Sequence, residues 1–470
     1  MNLHLSSLAA LLLASYLPAQ ATVPDHSPST AFIRSGLPIV DLDQWTEAQV
    51  VVDKEKGKYL GHPTTLLLKD GKTILCVYPK GHGSGEIILK KSTDGGKTWS
   101  ERLPVPESWK TSREVPTLYE TEDSRGKRRI LLFSGIQGGN RNTAPRNRMA
   151  VSEDNGTTWS ELTPIPNQAG GIVVMSDLIP LKTGKGHYMA SYHANARGKD
   201  GHGEFHTIEQ YVTFTEDGGL TWTSPRVIFP GTRDMHLCEG GFVRSPDGKT
   251  IALLLRENSR HHNSQIMFSG DEGKTWTPPK ELPAALCGDR HQILPLPDGR
   301  LLVQFRDAPP TRKKGQAASP TEGDWVGWIG RWEDLKNGTE GSYKIRFKDN
   351  RNGWDCAYPA AELLPDHTLV CTTYGHFDKG ELPYILSVRF KISDTDSMVR
   401  QYAGNKYPKI KNDTGAGETV FDPNDPDSVN RLLKPGNNSL PAPENTEREK
   451  HNRQNRLPPN TSRKYDSPHE

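Results

Sequence analysis

"GHPTTLLLKDGKTILCVYPKGHGSGEIILKKSTDGGKTW", residues 61–99, carries two signals. An apolar run, a Lys-Asp-Gly turn and a second apolar run read as a β-hairpin. A third apolar run then ends in Ser-x-Asp-x-Gly-x-Thr-Trp, a pattern suited to a tight turn. The Asp carboxylate accepts backbone N–H groups, Gly supplies positive φ, and Trp packs beneath. Whether this unit is isolated or repeated decides the fold.

It is repeated. The turn recurs as "SEDNGTTW" (152–159), "TEDGGLTW" (215–222) and "SGDEGKTW" (269–276), giving four copies spaced by 60, 63 and 54 residues. The hairpin recurs as "VPTLYETEDSRGKRRILLFSG" (115–135), "MSDLIPLKTGKGHYMASYH" (175–193), "EGGFVRSPDGKTIALLLREN" (239–258), "HQILPLPDGRLLVQFRD" (291–307) and "YPAAELLPDHTLVCTTYGH" (358–376). Six hairpins at a period near 60, with about four strands per unit, predict an all-β chain folded as a six-bladed β-propeller. Two stacked sandwiches would give no reason for such regularity.

Composition agrees. The 470 residues include 44 Gly and 36 Pro, suited to many short strands and turns. Net charge is +2, from 59 basic and 57 acidic side chains, which argues against nucleic acid or an acidic membrane as main partner. Residues 1–21, ending in Ala19-Gln20-Ala21, read as a secretory signal peptide whose apolar run is too short to span a bilayer. The expected product is a secreted or periplasmic monomer without a membrane span. Residues 22–44 read as a lead-in, 45–402 as the propeller and 403–470 as a polar tail, too poor in apolar residues to fold alone. The five cysteines (76, 238, 287, 356 and 371) lack zinc-ligand spacing. A Cys238–Cys287 bridge is the favoured pairing, Cys76 is expected as a core thiol, and no metal or cofactor is called for.

Four "S-x-D-x-G-x-T-W" Asp-boxes on six blades resemble the sialidase (neuraminidase) superfamily over roughly residues 45–395. Because the Asp-box also occurs on propellers without sialidase activity, function has to be argued from the site. The starts of first strands and the ends of second strands share one face of a propeller, opposite the Asp-box turns. That face gathers "YLGHP" (59–63), "REVP" (113–116), "HLCEGG" (236–241), "RENSRHH" (256–262), "GDRHQ" (288–292), "FRD" (305–307) and "CAYP" (356–359), dense in Arg, His, Glu and Tyr.

The resemblance implies a Tyr nucleophile activated by Glu, with Arg side chains gripping a sugar carboxylate. A neutral phenol approaches an anionic sugar without the repulsion that a carboxylate would meet. Tyr358, in "YPAAELLPDHTLV", resembles the family's nucleophile, Glu239 its partner, and Arg256 the second carboxylate-binding Arg. Two departures stand out. Where the family has "[FY]RIP", this chain has "YLGHP", with His62 before the proline. The Asp acid expected after the second strand of blade one is absent, and the loop "KGHGSGE" (80–86) offers His82 and Glu86 instead. His62 or His82 is therefore a candidate acid, since imidazole exchanges protons near neutral pH. Arg306 and Arg290 face the site by blade geometry, and Arg331 fits by spacing to Tyr358. Arg113 and His291 complete the candidate substrate-binding set.

The reading that follows is a secreted exo-glycosidase of the sialidase type, hydrolysing terminal α-linked sialic acid from glycoconjugates. A glycosidase or lyase on another acidic (uronic-acid) glycan is an alternative, as is a non-catalytic carbohydrate-binding propeller. Inversion, with Glu239 as base on water, stays open beside retention through Tyr358.

Overall fold

The computed structural model describes residues 32–33, 37–135, 147–168, 170–310, 319–353 and 355–406. The expected signal peptide, and the expected tail beyond residue 406, lie outside them.

Six antiparallel blades are arranged as a β-propeller. Blade four shows the plan. Leu237–Arg244, Ile251–Glu257, Gln265–Ser269 and Lys280–Glu281 pair in order. Blades two, three and five repeat it, beginning at Thr117–Glu122, Ile172–Pro180 and Gly288–Pro295. Blade one has three strands (Thr64–Leu67, Ile74–Pro79 and Ile87–Ser92), with a Leu89–Leu103 bridge in place of the fourth. Blade six is Ala360–Leu363, Leu369–Gly375 and Tyr384–Phe390.

Two N-terminal segments join strands far away in sequence. Gln49–Asp53 is the outer strand of blade six, pairing antiparallel with Tyr384–Phe390. Ile39–Asp41, within the segment expected as lead-in, pairs parallel with Tyr343–Lys348 of blade five. Closing the sheet sequence this way removes an exposed edge. The helix Ile392–Lys406 crosses the boundary expected at 402/403. It docks on blade five through Asp396, which takes two 2.8 Å hydrogen bonds from Arg300.

Neighbouring blades are stitched along their inner strands. Thr117 Oγ1 donates to Val174 O at 2.9 Å, Ser176 Oγ to Gly240 O at 3.0 Å, and Thr65 Oγ1 to Glu362 Oε1 at 2.7 Å. Each Asp-box is one hydrogen-bonded turn. In the first, Asp94 Oδ1 accepts from the backbone of Lys97 and Thr98 at 3.0 and 2.9 Å, and Gly96 N donates to Ser92 Oγ at 2.8 Å. In blade four Ser269 pairs with Ile251, whereas Cys238 pairs with Arg256, so the Asp-box and Glu239 lie at opposite ends of the blade.

The expected Cys238–Cys287 bridge does not form: all five cysteines are buried free thiols. Cys287 Sγ points instead to Ala308 O, 3.7 Å away. Among the described residues no helix is long and apolar enough to cross a membrane.

Candidate active site

The inner strands do not pair regularly to their ends. His62, Met175, Glu239 and Arg290 each lie two residues before regular pairing resumes, at Thr64, Asp177, Gly241 and Gln292. All four have left-handed φ, between 50° and 57°, and Ala357 of blade six, at 57°, joins them. A side chain in that conformation is strained and persists only where its surroundings impose it. The bulge re-aims the side chain, and in blades four and six it brings together residues far apart in sequence.

Tyr358 Oη donates to Glu239 Oε1. Arg256 Nη1 reaches the same carboxylate oxygen at 3.0 Å and Tyr358 Oη at 3.4 Å. Glu239 Oε2 is buried without a hydrogen-bond partner among the described residues. Burial by itself would raise Glu239, but Arg256 and then His193 draw its carboxyl below the usual range. Burial and the Glu239 charge push Tyr358 well up. The pair thus rests as phenol and carboxylate, the state in which Glu239 can take the phenolic proton.

Two further carboxylates organise the rest. Asp289 is 0% exposed. Its Oδ2 accepts from Arg260 Nη2 at 2.7 Å and from Arg306 Nε and Nη2 at 2.9 and 2.7 Å. Arg256 Nε lies 3.0 Å from Oδ1 as an ion pair outside hydrogen-bond geometry. Burial opposes ionisation of Asp289, but these three guanidiniums overcome it and hold the carboxyl far below its ordinary value. Asp355 is the second hub. Its Oδ1 accepts from Arg306 Nη1 and Tyr374 Oη, both at 2.9 Å, and its Oδ2 accepts from Tyr59 Oη and meets His82 Nδ1 at 2.8 Å. Against burial, His82 and Arg306 keep Asp355 ionised.

The two histidines expected as acids are placed very differently. His62 is 3% exposed; its Nδ1 accepts from Gly83 N at 3.2 Å, leaving the ring hydrogen on Nε2, 3.1 Å from Tyr374 Oη. Burial pushes its pKa down to about 3, so the ring is neutral and enclosed. His82 has a side chain 66% exposed, and the bond to Asp355 raises its pKa against partial burial.

Of the expected substrate-binding residues, Arg256 joins the Tyr–Glu pair, and Arg306 is 4% exposed with both ends tied to Asp289 and Asp355. Arg290 is electrostatically coupled to the half-buried Asp177 and Tyr119. Arg113 is exposed, and its guanidinium bonds to no described residue. His291 does not line a pocket: it is 1% exposed, donates from Nε2 to Leu286 O at 2.8 Å, and stacks on Phe305. Arg331 lies across from Arg300, at the far end of the strand pair in which Arg306 meets Trp325. Sequence reasoning missed Asp355, one residue before "CAYP", and Arg260, within "RENSRHH". Among the described residues no group of three or more His, Cys, Asp or Glu is arranged to hold a metal ion.

Residues 110–362 match the BNR repeat-like domain family, and residues 90–101 match the BNR/Asp-box repeat. A sialidase of Micromonospora viridifaciens is 25% identical over 64% of this chain and 47% of its own length. One of Clostridium perfringens is 26% identical over 50% of this chain and 66% of its own. The chain thus spans about half of the first relative and about two thirds of the second. A variant of the NanB sialidase of Streptococcus pneumoniae shares the fold at a TM-score of 0.50 and 14% identity, covering 74% of this chain and 71% of that one. The α-L-arabinanase of Penicillium chrysogenum does so at a TM-score of 0.51 and 14% identity, covering 73% and 98%. With the family match spanning more than half of its residues, the chain belongs to the BNR repeat-like domain family, as a divergent member of the sialidase-like superfamily.

Proposed function

We propose that this protein is an exo-glycosidase of the sialidase type, releasing terminal α-linked sialic acid from glycoconjugates. The observation that carries the reading is the Tyr358–Glu239 hydrogen bond with Arg256 beside it. A binding module has no use for a phenol whose proton is already directed at a carboxylate. A glycosidase that attacks an anionic sugar does.

In this reading Tyr358 Oη attacks the anomeric carbon as Glu239 takes its proton. The glycosyl–tyrosine intermediate is then hydrolysed with net retention. Arg256, whose Nη2 makes no hydrogen bond with the described residues, offers that edge to the sugar carboxylate.

A second reading, hydrolysis or lysis of a uronic-acid glycan, is favoured by Asp289. With Asp289, Asp355 and Glu239 set against Arg256, Arg260 and Arg306, the ion-paired cluster is formally neutral, which weakens it as a clamp for a strongly acidic sugar. Incubating the purified protein with sialylated glycans and uronic-acid polysaccharides side by side, and identifying the released sugar, distinguishes the two. Release of neither, with glycan binding intact, would leave a lectin.

A further inference from the structure

Cleaving a glycosidic bond to an ordinary sugar alcohol requires a proton for the departing oxygen. Glu239, Asp289 and Asp355 are all held ionised, and Glu239 is already assigned to the phenol. His62 and His193 are buried and neutral, pushed down to about 3 and about 4. His291 is buried with Nε2 committed to Leu286 O.

His82 differs from all of them in geometry. Its loop, Lys80–Glu86, is pinched by Lys80 N donating to Glu86 O at 2.8 Å and is tied down by Gly85 N to Ser112 O at 3.2 Å. Gly81 and Gly85 have φ of 152° and 127°, and a Cβ at either would meet Ser84 O or Lys80 O at 2.3 or 2.5 Å. Only glycine closes this loop, and the closed loop sets the imidazole at the rim. Nδ1 is held by Asp355 Oδ2 at 2.8 Å with Tyr59 Oη at 3.0 Å. Nε2 has no partner among the described residues. The ring lies 5.0 Å from that of His62, which lies 4.4 Å from that of Tyr358. Glu86, the acidic side chain of the loop, is half-buried and adds a minor charge interaction to Lys110, behind that of Glu107.

We infer that His82, oriented by Asp355, is the catalytic acid and base of this site, donating from Nε2 to the leaving oxygen. The inference rests on the glycosidase reading above. As Tyr358 Oη bonds to the anomeric carbon and its proton passes to Glu239, the glycosidic C–O bond breaks. Its electron pair stays on the leaving oxygen, which takes the Nε2 proton. Asp355 retains the Nδ1 hydrogen bond and stabilises the imidazolium before transfer. In the second half, neutral Nε2 takes a proton from water as the water oxygen bonds to the anomeric carbon. The bond from that carbon to Tyr358 Oη breaks with its electron pair left on Oη, and Glu239 returns its proton to the phenolate. The charged and titratable groups facing His82 are Asp355, Tyr59, His62 and, at longer range, Arg306. Asp355 is the anion among them, which favours the imidazolium.

The test compares two glycosides of the acidic sugar that the wild-type protein releases, one carrying 4-nitrophenol and one carrying lactose. Nitrophenolate departs without a proton, whereas the lactose alkoxide does not. His82→Gln should lower kcat/KM on the lactoside by roughly 10²- to 10⁴-fold and leave bond cleavage in the nitrophenyl glycoside within about tenfold. It should also abolish the alkaline limb of the lactoside pH profile, while Glu86→Gln changes neither. Equal loss on both substrates, no loss, or a surviving alkaline limb overturns the assignment. A second readout does not depend on turnover. In imidazole ¹⁵N NMR, the signal missing from His82→Gln should titrate above free histidine and fall in Asp355→Asn. If no acidic glycoside is cleaved, the proposed function fails. His82 titrating at or below free histidine would instead sink the dyad.

Discussion

Tyr358 and Glu239 are 119 residues apart in sequence, yet the phenolic hydrogen of one is donated to Oε1 of the other, with Arg256 within 3.4 Å of the phenol oxygen. If this contact is the nucleophile and its base, Tyr358→Phe should remove about 10³-fold or more of kcat while ligand binding survives. Proton NMR of the freshly released sugar, read before mutarotation, should show retained configuration in the wild type. An inverted first product would demote Tyr358 to positioning and leave Glu239 as base on water.

Arg256 is the guanidinium shared by the Tyr–Glu pair and Asp289. Replacing it with Ala removes a charge-assisted contact to an acidic sugar, at a cost of about 2–4 kcal/mol of transition-state binding, or roughly 30- to 1000-fold in kcat/KM. Steady-state kinetics on a charged and a neutral aryl glycoside would show the loss concentrated on the charged one. A uniform loss would mean that Arg256 acts only by orienting Glu239.

How much of this was legible follows from the range of the interactions. Asp94 binds Lys97 and Thr98, and Ser92 binds Gly96, so the Asp-box is readable in eight consecutive residues. The hairpins are equally local, and counting them yielded the blades and the shared face. The blade repeat places Glu239, Arg256 and Tyr358 at strand ends on that face, and it was the resemblance to the sialidase superfamily that singled them out there. Asp355 was invisible because its partners are Tyr59, His82, Arg306 and Tyr374, scattered over three blades. The same holds for Gln49–Asp53, whose strand partner lies more than 300 residues away. His291 failed differently: next to Arg290 in a bulged strand, it points into the core, and alternation cannot be read through a bulge.

Asp289 is the buried anion on which three arginines converge. Asp289→Asn should destabilise the protein by about 3–5 kcal/mol at neutral pH, because guanidinium charge is left buried with one fewer carboxylate. Its folded pKa is depressed, so the sign is fixed: the wild-type advantage is present above the unfolded value of about 4 and declines as pH falls below it. Urea unfolding of both proteins between neutral and acid pH measures this. A variant as stable as wild type at neutral pH would mean that the guanidiniums find solvent instead.

Asp271 belongs to the Asp-box at the end of blade four opposite Glu239. Its carboxylate accepts from Thr275 N at 2.8 Å and Thr275 Oγ1 at 2.6 Å. Asp271→Ala should cost ~1 kcal/mol, kept modest because the turn is exposed to solvent. Thermal unfolding should register the change while kcat/KM stays within twofold or so of wild type. A large kinetic effect would connect the two faces in a way that the blade geometry gives no reason to expect.

Acid sensitivity offers a test of how His62 is held. The ring is 3% exposed, accepts from Gly83 N and faces Tyr374 Oη, and its pKa is pushed down to about 3 by burial. In the unfolded chain the same ring protonates near 6.5. Below that value the unfolded state binds a proton that the folded state refuses, so stability present above about pH 6.5 is lost progressively as pH falls toward 3. The limiting slope for one such group is ~1.4 kcal/mol per pH unit. His62→Gln, which cannot titrate, should be less stable than wild type at pH 7 through its imperfect fit, yet show a shallower loss between pH 6 and about 4. Denaturant midpoints across that range, converted to protons taken up on unfolding, should differ between the two proteins by close to one proton. Parallel curves would mean that His62 already carries a proton in the folded protein. It would then be a second proton source beside Tyr358, and the assignment of that role to His82 would need to be reopened.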